Sequence, residues 1–171
     1  LARSANSFDE LYEALQQELT YTDAILTGLL KKHMESVQPQ LVALSVPFPG
    51  NLYTSLRIGQ LLKAHYPGVK VAMGGGFANT ELRSLSDARV FEFFDFITLD
   101  DGEAPMEHLI AFIQGRCTTA LLKRTFCLEK GQVLYYNNPV VKDYRQGEVG
   151  TPDYHDLLLG KYISTLEVAN P

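Results

Sequence analysis

The chain reads as an α/β protein with a parallel sheet, and three observations predict it. Leu41-Val42-Ala43-Leu44-Ser45-Val46, Val69-Lys70-Val71-Ala72-Met73 and Phe96-Ile97-Thr98-Leu99 are short apolar runs of strand length, separated by segments whose apolar residues recur at helical spacing. Turn-forming residues bound each run: Pro39 and Pro47 the first, Pro67-Gly68 the second, Asp100-Asp101-Gly102 the third. The second run ends in Gly74-Gly75-Gly76 and then feeds a helical segment, so the chain must turn sharply or lie close to another body where it leaves the strand. Strand and helix in alternation give parallel strands with helices on the sheet faces. In such sheets ligands bind at the carboxyl ends of the strands.

Taken in order, Ser7-Phe8-Asp9-Glu10 has the form of a capping box, and Phe8, Leu11, Tyr12, Leu15 and Leu19 follow at helical intervals. Ile25, Leu26, Leu29, Leu30 and Val37 predict a second helix over 23–36, closed by Pro39. The unalternating run at 41–46 suits a strand covered on both faces. Pro47-Phe48-Pro49-Gly50-Asn51 is the loop after it, and Leu56, Leu61 and Leu62 predict a helix over 53–66. After the glycine-terminated strand come a short helix over 79–85, the strand at 96–99, and a helix to Gln114 opened by Pro105 and carrying Met106, Leu109, Ile110 and Ile113 inward. Residues 125–128 and 133–136 flank Glu129-Lys130-Gly131-Gln132, a hairpin added antiparallel at a sheet edge. The remainder from Pro139 reads as irregular, with one helical turn near 154–159. The chain thus divides into a helical segment at 1–40, an α/β unit at 41–120, and a hairpin and linker at 121–171.

Composition excludes several function classes. The 171 residues suffice for one domain with a real core, and a net charge of −5 without a Lys/Arg cluster argues against a nucleic-acid surface. Cys117 and Cys127 lie ten positions apart with no flanking histidine cluster, which leaves zinc, iron–sulfur and disulfide frameworks without ligands and predicts reduced thiols in the cytoplasm. No apolar run is long enough to span a bilayer, and Leu1-Ala2-Arg3-Ser4 lacks a signal-peptide profile. An opening without Met and an end at Ala169-Asn170-Pro171 suggest a piece of a longer polypeptide.

Three elements in order resemble a known family, the cobalamin-binding domain that precedes the catalytic barrel in many radical S-adenosylmethionine enzymes. Val42-Ala43-Leu44-Ser45 resembles the strand and serine that approach the cofactor's nucleotide tail, Val71-Ala72-Met73-Gly74-Gly75 the strand and glycine pair beside it, and 94–103, ending in Gly102-Glu103, the family's last strand. The resemblance runs over 41–114, and Pro152-Asp153-Tyr154 through Lys161-Tyr162-Ile163 is similar to the linker into the barrel. It implies a flavodoxin-like, cobalamin-binding-type sheet. The family's first two strands have no counterpart before Leu41, which would cut the sheet to three parallel strands and leave the first of them an edge. It implies cobalamin as cofactor, with S-adenosylmethionine and a 4Fe-4S cluster confined to a following barrel of the same polypeptide. The Asp-x-His-x-x-Gly motif is absent around His33, His65, His108 and His155, so no protein histidine would ligate cobalt.

The candidate cofactor-binding residues are Ser45, Phe48, Asn51, Gly74, Gly75, Gly76, Gly102 and Glu103. Ser45 either holds a ring nitrogen or phosphate of a ligand or bonds to local backbone. The three glycines either admit a cofactor against bare backbone or make a tight turn. Asp100, Asp101 and Glu103 are expected to cap the following helix or to meet its positive end rather than to bind a cation. Phe91, Phe93, Phe94 and Phe96 are expected in the core, and Tyr135-Tyr136 and Tyr162-Ile163 on a face toward a barrel. The expected function is an auxiliary cobalamin-binding-type domain without catalysis of its own. The alternative is a non-binding interaction or substrate-docking module that braces the barrel, with a homo-oligomer as the other partner considered. A stand-alone nucleotide binder ranks below both, because neither the dinucleotide fingerprint nor a Gly-Lys-Ser/Thr phosphate loop is present.

Overall fold

The computed structural model describes residues 8–158. Ser7 of the predicted capping box and residues 159–163 of the linker match, Tyr162-Ile163 among them, lie outside them. Helix α1 (Phe8–Leu15) is followed by α2 (Tyr21–Val37), two residues earlier than the apolar pattern indicates. The start is set by a capping box: the Thr20 hydroxyl accepts from the Asp23 amide while the Asp23 carboxylate accepts from the Thr20 amide. The helix ends at Gln38, whose left-handed backbone turns its amide back onto the Met34 carbonyl.

Strand β1 (Leu41–Ser45) leads through a 3-10 turn (Pro49–Asn51) to α3 (Leu52–His65), and β2 (Lys70–Gly74) to α4 (Gly76–Glu81). Helix α4 begins three residues before the predicted start and ends four before its predicted end, because the glycines turn directly into it. A 3-10 segment (Ala88–Glu92) that the sequence reading leaves out precedes β3 (Phe96–Thr98). Helix α5 (Glu103–Ile113), β4 (Thr125–Glu129) and β5 (Gln132–Tyr136) complete the unit. Near the single turn predicted at 154–159, the chain makes one hydrogen-bonded turn at 154–157, with the Leu157 amide on the Tyr154 carbonyl.

The sheet has five strands in the order β1-β2-β3-β4-β5, not three. β1, β2 and β3 are parallel; β4 runs antiparallel to β3 and β5 to β4. The predicted hairpin is therefore present, and it continues the same sheet across the 120/121 division. Strand β1 pairs only with β2 among the described residues, as expected of a first strand left at an edge.

Side chains alternate between the two faces, and each face has its own core. On one side Val71, Met73, Ile97 and Phe126 pack beneath Leu15 of α1, Met34 of α2 and Leu56 and Leu62 of α3, with Phe91, Phe93 and Phe94 closing the end. The expected packing role of those phenylalanines is met, since Phe94 is fully buried and Phe8 and Tyr12 meet the Phe93 ring edge-on. On the other side Ala72, Phe96 and Cys127 pack beneath Leu109 of α5 and Leu122. The three N-terminal helices are tied by Arg57, which is buried against Asp23 and donates to the Leu15 carbonyl, Gln60 Oε1 and the Tyr53 hydroxyl.

Helices α1 to α3 thus cover one face of the parallel strands, while α5 alone covers the other. Over β1 and β2 that second face is open, with Ala43 and Ser45 exposed. Among the described residues no helix is long and apolar enough to cross a membrane.

Candidate functional site

The open part of the second face forms a cleft of about 300 Å³ at the carboxyl ends of β1, β2 and β3, bounded on one side by the start of α5. Its floor is two rows of side chains running across the strands. Ala43 of β1 lies opposite Ala72 of β2, and one step toward the carboxyl ends Ser45 lies opposite Gly74. Thr98 of β3 continues the second row, for Ala72 and Met73 pair with Phe96 and Ile97. The outer row is therefore hydroxyl, bare backbone, hydroxyl. Met106 on α5 and Gly102 and Asp100 on the loop before it form the wall.

The glycines have separate reasons. A β-carbon on Gly74 would stand 2.8 Å from the Thr98 hydroxyl, filling the space in which that oxygen faces the cleft. Gly75 adopts φ +100° and ψ −175°, a conformation open essentially to glycine alone, and its β-carbon would press within 2.9 Å of the Val46 amide and carbonyl. A β-carbon on Gly76 would meet the Pro47 carbonyl at 2.7 Å. Gly74 is the position that opens the cleft; Gly75 and Gly76 let the turns after β1 and β2 nest together.

Of the predicted site residues, Ser45, Gly74, Gly75 and Gly102 line the cleft. Gly76 does not, for it starts α4. Phe48 and Asn51 stand away from it: the 3-10 turn carries the chain toward α3 on the opposite face, leaving Phe48 69% exposed and Asn51 with its carbonyl accepting from the Ser55 hydroxyl. Glu103 is exposed on the first turn of α5 and outside the lining. The hydroxyls of Ser45 and Thr98 make no hydrogen bond among the described residues, so local backbone does not hold Ser45. Thr98 as a residue is only 5% exposed, and it contributes to the cleft lining. Ala43, Ala72, Thr98 and Met106 escape a sequence reading, since each fits an ordinary strand or helix pattern; the shared parity of 43, 45, 72, 74 and 98 within their strands is the signal that places the strand residues on one face.

The acidic loop supplies no side-chain cap, although Glu103 stands in the first turn of α5, at the helix's positive end. The residue preceding α5 is Gly102, with no side-chain bond to the helix. Asp100 has left-handed backbone with φ 59°, its amide is held by Asn79 Oδ1 at 2.6 Å, and its carboxylate pairs with Arg83 and Arg124. Arg124 also donates to the Leu99 and Asp101 carbonyls and pairs with Asp143 at 2.6 Å. The Arg124 hydrogen bond, with help from Lys123, holds the Asp143 carboxyl down to about 2. The cations at the rim are thus neutralised by this chain's own carboxylates. No group of histidine, cysteine and carboxylate side chains able to hold a metal ion is found among the described residues. Burial, reinforced by Glu129, pushes the Cys127 thiol up to about 11, and it stays protonated and unreactive at neutral pH.

Compared with known proteins, the chain matches no family model and no curated protein sequence.

Proposed function

We propose that this chain is an auxiliary cobalamin-binding-type domain of a radical S-adenosylmethionine enzyme, with a flavodoxin-like arrangement of its parallel strands, acting in binding and positioning. The observation that carries the reading is the cleft at the strand ends, where two alanines and Gly74 make a flat, shallow floor beside unpartnered hydroxyls. It lies where the serine strand and the glycine strand of the family resemblance meet. The fit is to a part of the cofactor: about 300 Å³ is at the lower end of ligand sites and admits a bicyclic ring rather than a macrocycle. Ser45, Gly74 and Gly75 would hold the nucleotide end, with Gly102 at the α5 side. Cobalt chemistry, when the cofactor is bound, is supplied by the corrinoid, and no protein histidine is positioned on it. S-adenosylmethionine and the 4Fe-4S cluster belong in this reading to a following barrel.

Equilibrium dialysis of the chain against hydroxocobalamin is expected to retain visible absorbance with the protein. Colourless protein at saturating cofactor refutes the reading. A second reading, an interaction module that braces the barrel or docks substrate, is favoured by the edge strand β1 and by Tyr21, Ile25 and Leu29, exposed at four-residue spacing along α2. It requires no heat on titration with cobalamin and measurable heat with the separately expressed barrel.

A further inference from the structure

We infer that the groove between α2 and α3 is a second ligand site, one that takes a small amphiphilic carboxylate with its ring or short chain seated between the helices and its acid group at the mouth. The groove lies at the far end of the molecule from the strand-end cleft, for α3 runs back from the carboxyl ends of the strands and closes at Tyr66, just before β2 begins. It is also on the opposite face of the sheet, the face that α1 to α3 cover. The inference therefore does not depend on the cofactor reading.

Size, floor and mouth define the ligand. The cavity is about 320 Å³, at the lower end of ligand sites, which suits a single ring or a short acyl chain. Its floor is apolar: Leu61 is buried and Leu30 half-buried, and Thr27 adds no free polar group because its hydroxyl donates to the Asp23 carbonyl of its own helix. At the mouth Lys31, His65 and Tyr66 bring an ammonium, a ring nitrogen and a phenol hydroxyl to one opening. The His65 ring and the Tyr66 hydroxyl make no hydrogen bond or ion pair among the described residues. Lys31 meets only Glu35, at 3.8 Å and with the two side chains 69% and 63% exposed, a pair that contributes little and yields to an incoming anion. Lys63, the other basic side chain near the end of α3, is committed to Asp95. One lysine charge balances a monoanion, whereas a phosphate group carries about two negative charges and would be left in excess.

The test follows the methyl resonances of Thr27, Leu30 and Leu61 by NMR while hexanoate, phenylacetate, hexanol, hexylammonium and inorganic phosphate are added in turn to the full chain at neutral pH. Hexanoate, phenylacetate or both are expected to shift these methyls to saturation, hexanol to bind on the order of tenfold more weakly, and hexylammonium and phosphate to leave them in place. The methyls of Ala72 and Thr98, across the sheet, should not move. Replacing Lys31 and His65, both exposed, by glutamine is expected to keep the urea midpoint of wild type and to reduce hexanoate to the affinity of hexanol. Acid and alcohol binding alike, or wild-type affinity for hexanoate in the Lys31→Gln, His65→Gln variant, overturns the recognition of a carboxylate. Absence of a saturable shift with either acid, or shifts confined to Ala72 and Thr98, overturns the site itself. Because dialysis against hydroxocobalamin reads the other face of the sheet, failure of that reading and failure of this inference are seen separately.

Discussion

Single residues at the strand ends show two different uses of the same side-chain economy. Gly74 leaves room for a neighbour's hydroxyl, whereas Gly75 is demanded by its own backbone. Replacing Gly75 by alanine forces an L-residue into a glycine-only conformation and drives its β-carbon into the Val46 backbone, which can yield only by shifting the turn after β1. A loss of about 1–3 kcal/mol is expected, read as a lowered urea midpoint with an unchanged slope. A midpoint equal to wild type would mean that the turn is freer than its packing indicates. The same residues show what sequence alone discloses. Three successive glycines after a strand are visible because few other roles require them, and Ser45 is visible by position. Thr98 is hidden: in Phe96-Ile97-Thr98-Leu99 a threonine is an ordinary strand residue, and its importance arises only when register sets it beside Gly74, 24 positions earlier. Phe48 and Asn51 mislead for the converse reason, since adjacency to β1 says nothing about the face toward which the loop departs.

Among the elements, apolar periodicity locates helices α1 to α5 and the three parallel strands to within a few residues, and it errs where polar groups set the boundary. Helix α2 starts at Tyr21 because Thr20 and Asp23 cap each other, and the Ala88–Glu92 segment is organised by Asp87, whose carboxylate receives the Arg89 amide and guanidinium. Asp95 illustrates how one polar residue joins several elements. Standing just before β3, its carboxylate accepts from the Val71 amide at 2.8 Å on β2 and from Lys63 at 2.5 Å on α3, with Lys70 at 3.3 Å. Burial works to raise its carboxyl, but the bonds from Lys63 and Val71 and the two lysine charges outweigh burial and hold it below the usual carboxylate range. A carboxyl lowered by folding contributes stability that is complete above its unfolded value, about 3.9, and is lost as pH falls through the folded value. Asp95→Asn is therefore expected to cost about 1–3 kcal/mol at neutral pH, as for hydrogen bonds to charged groups, and to flatten the acid-side decline in stability. Urea titrations from about pH 7 down to about pH 3 measure both effects; an acid slope equal to that of wild type would remove Asp95 from this role.

For the whole molecule, the decisive relation is that the hairpin completes both cores of the sheet rather than trailing from it. Phe126 enters the core shared with Val71, Met73 and Ile97, while Leu122 and Cys127 close the opposite core against Leu109, Ala72 and Phe96. Strand β4 also supplies β3 with its second partner, without which Phe96, Ile97 and Thr98 would form an unpaired edge beside the cleft. Burial of Leu122 and Phe126 contributes about 1.5–3 kcal/mol each, a large share of a net stability that for domains of this kind is about 5–15 kcal/mol. Ending the chain after Leu121 is accordingly expected to abolish cooperative unfolding, while ending it after Gly150, beyond the Lys123 and Arg124 pairs with Asp143, should leave the urea transition nearly unchanged. Far-UV circular dichroism against urea distinguishes the two. A sharp transition in the shorter chain would show that three parallel strands and their helices are self-sufficient; its loss would make the cleft, through Thr98, dependent on a hairpin that lies outside it.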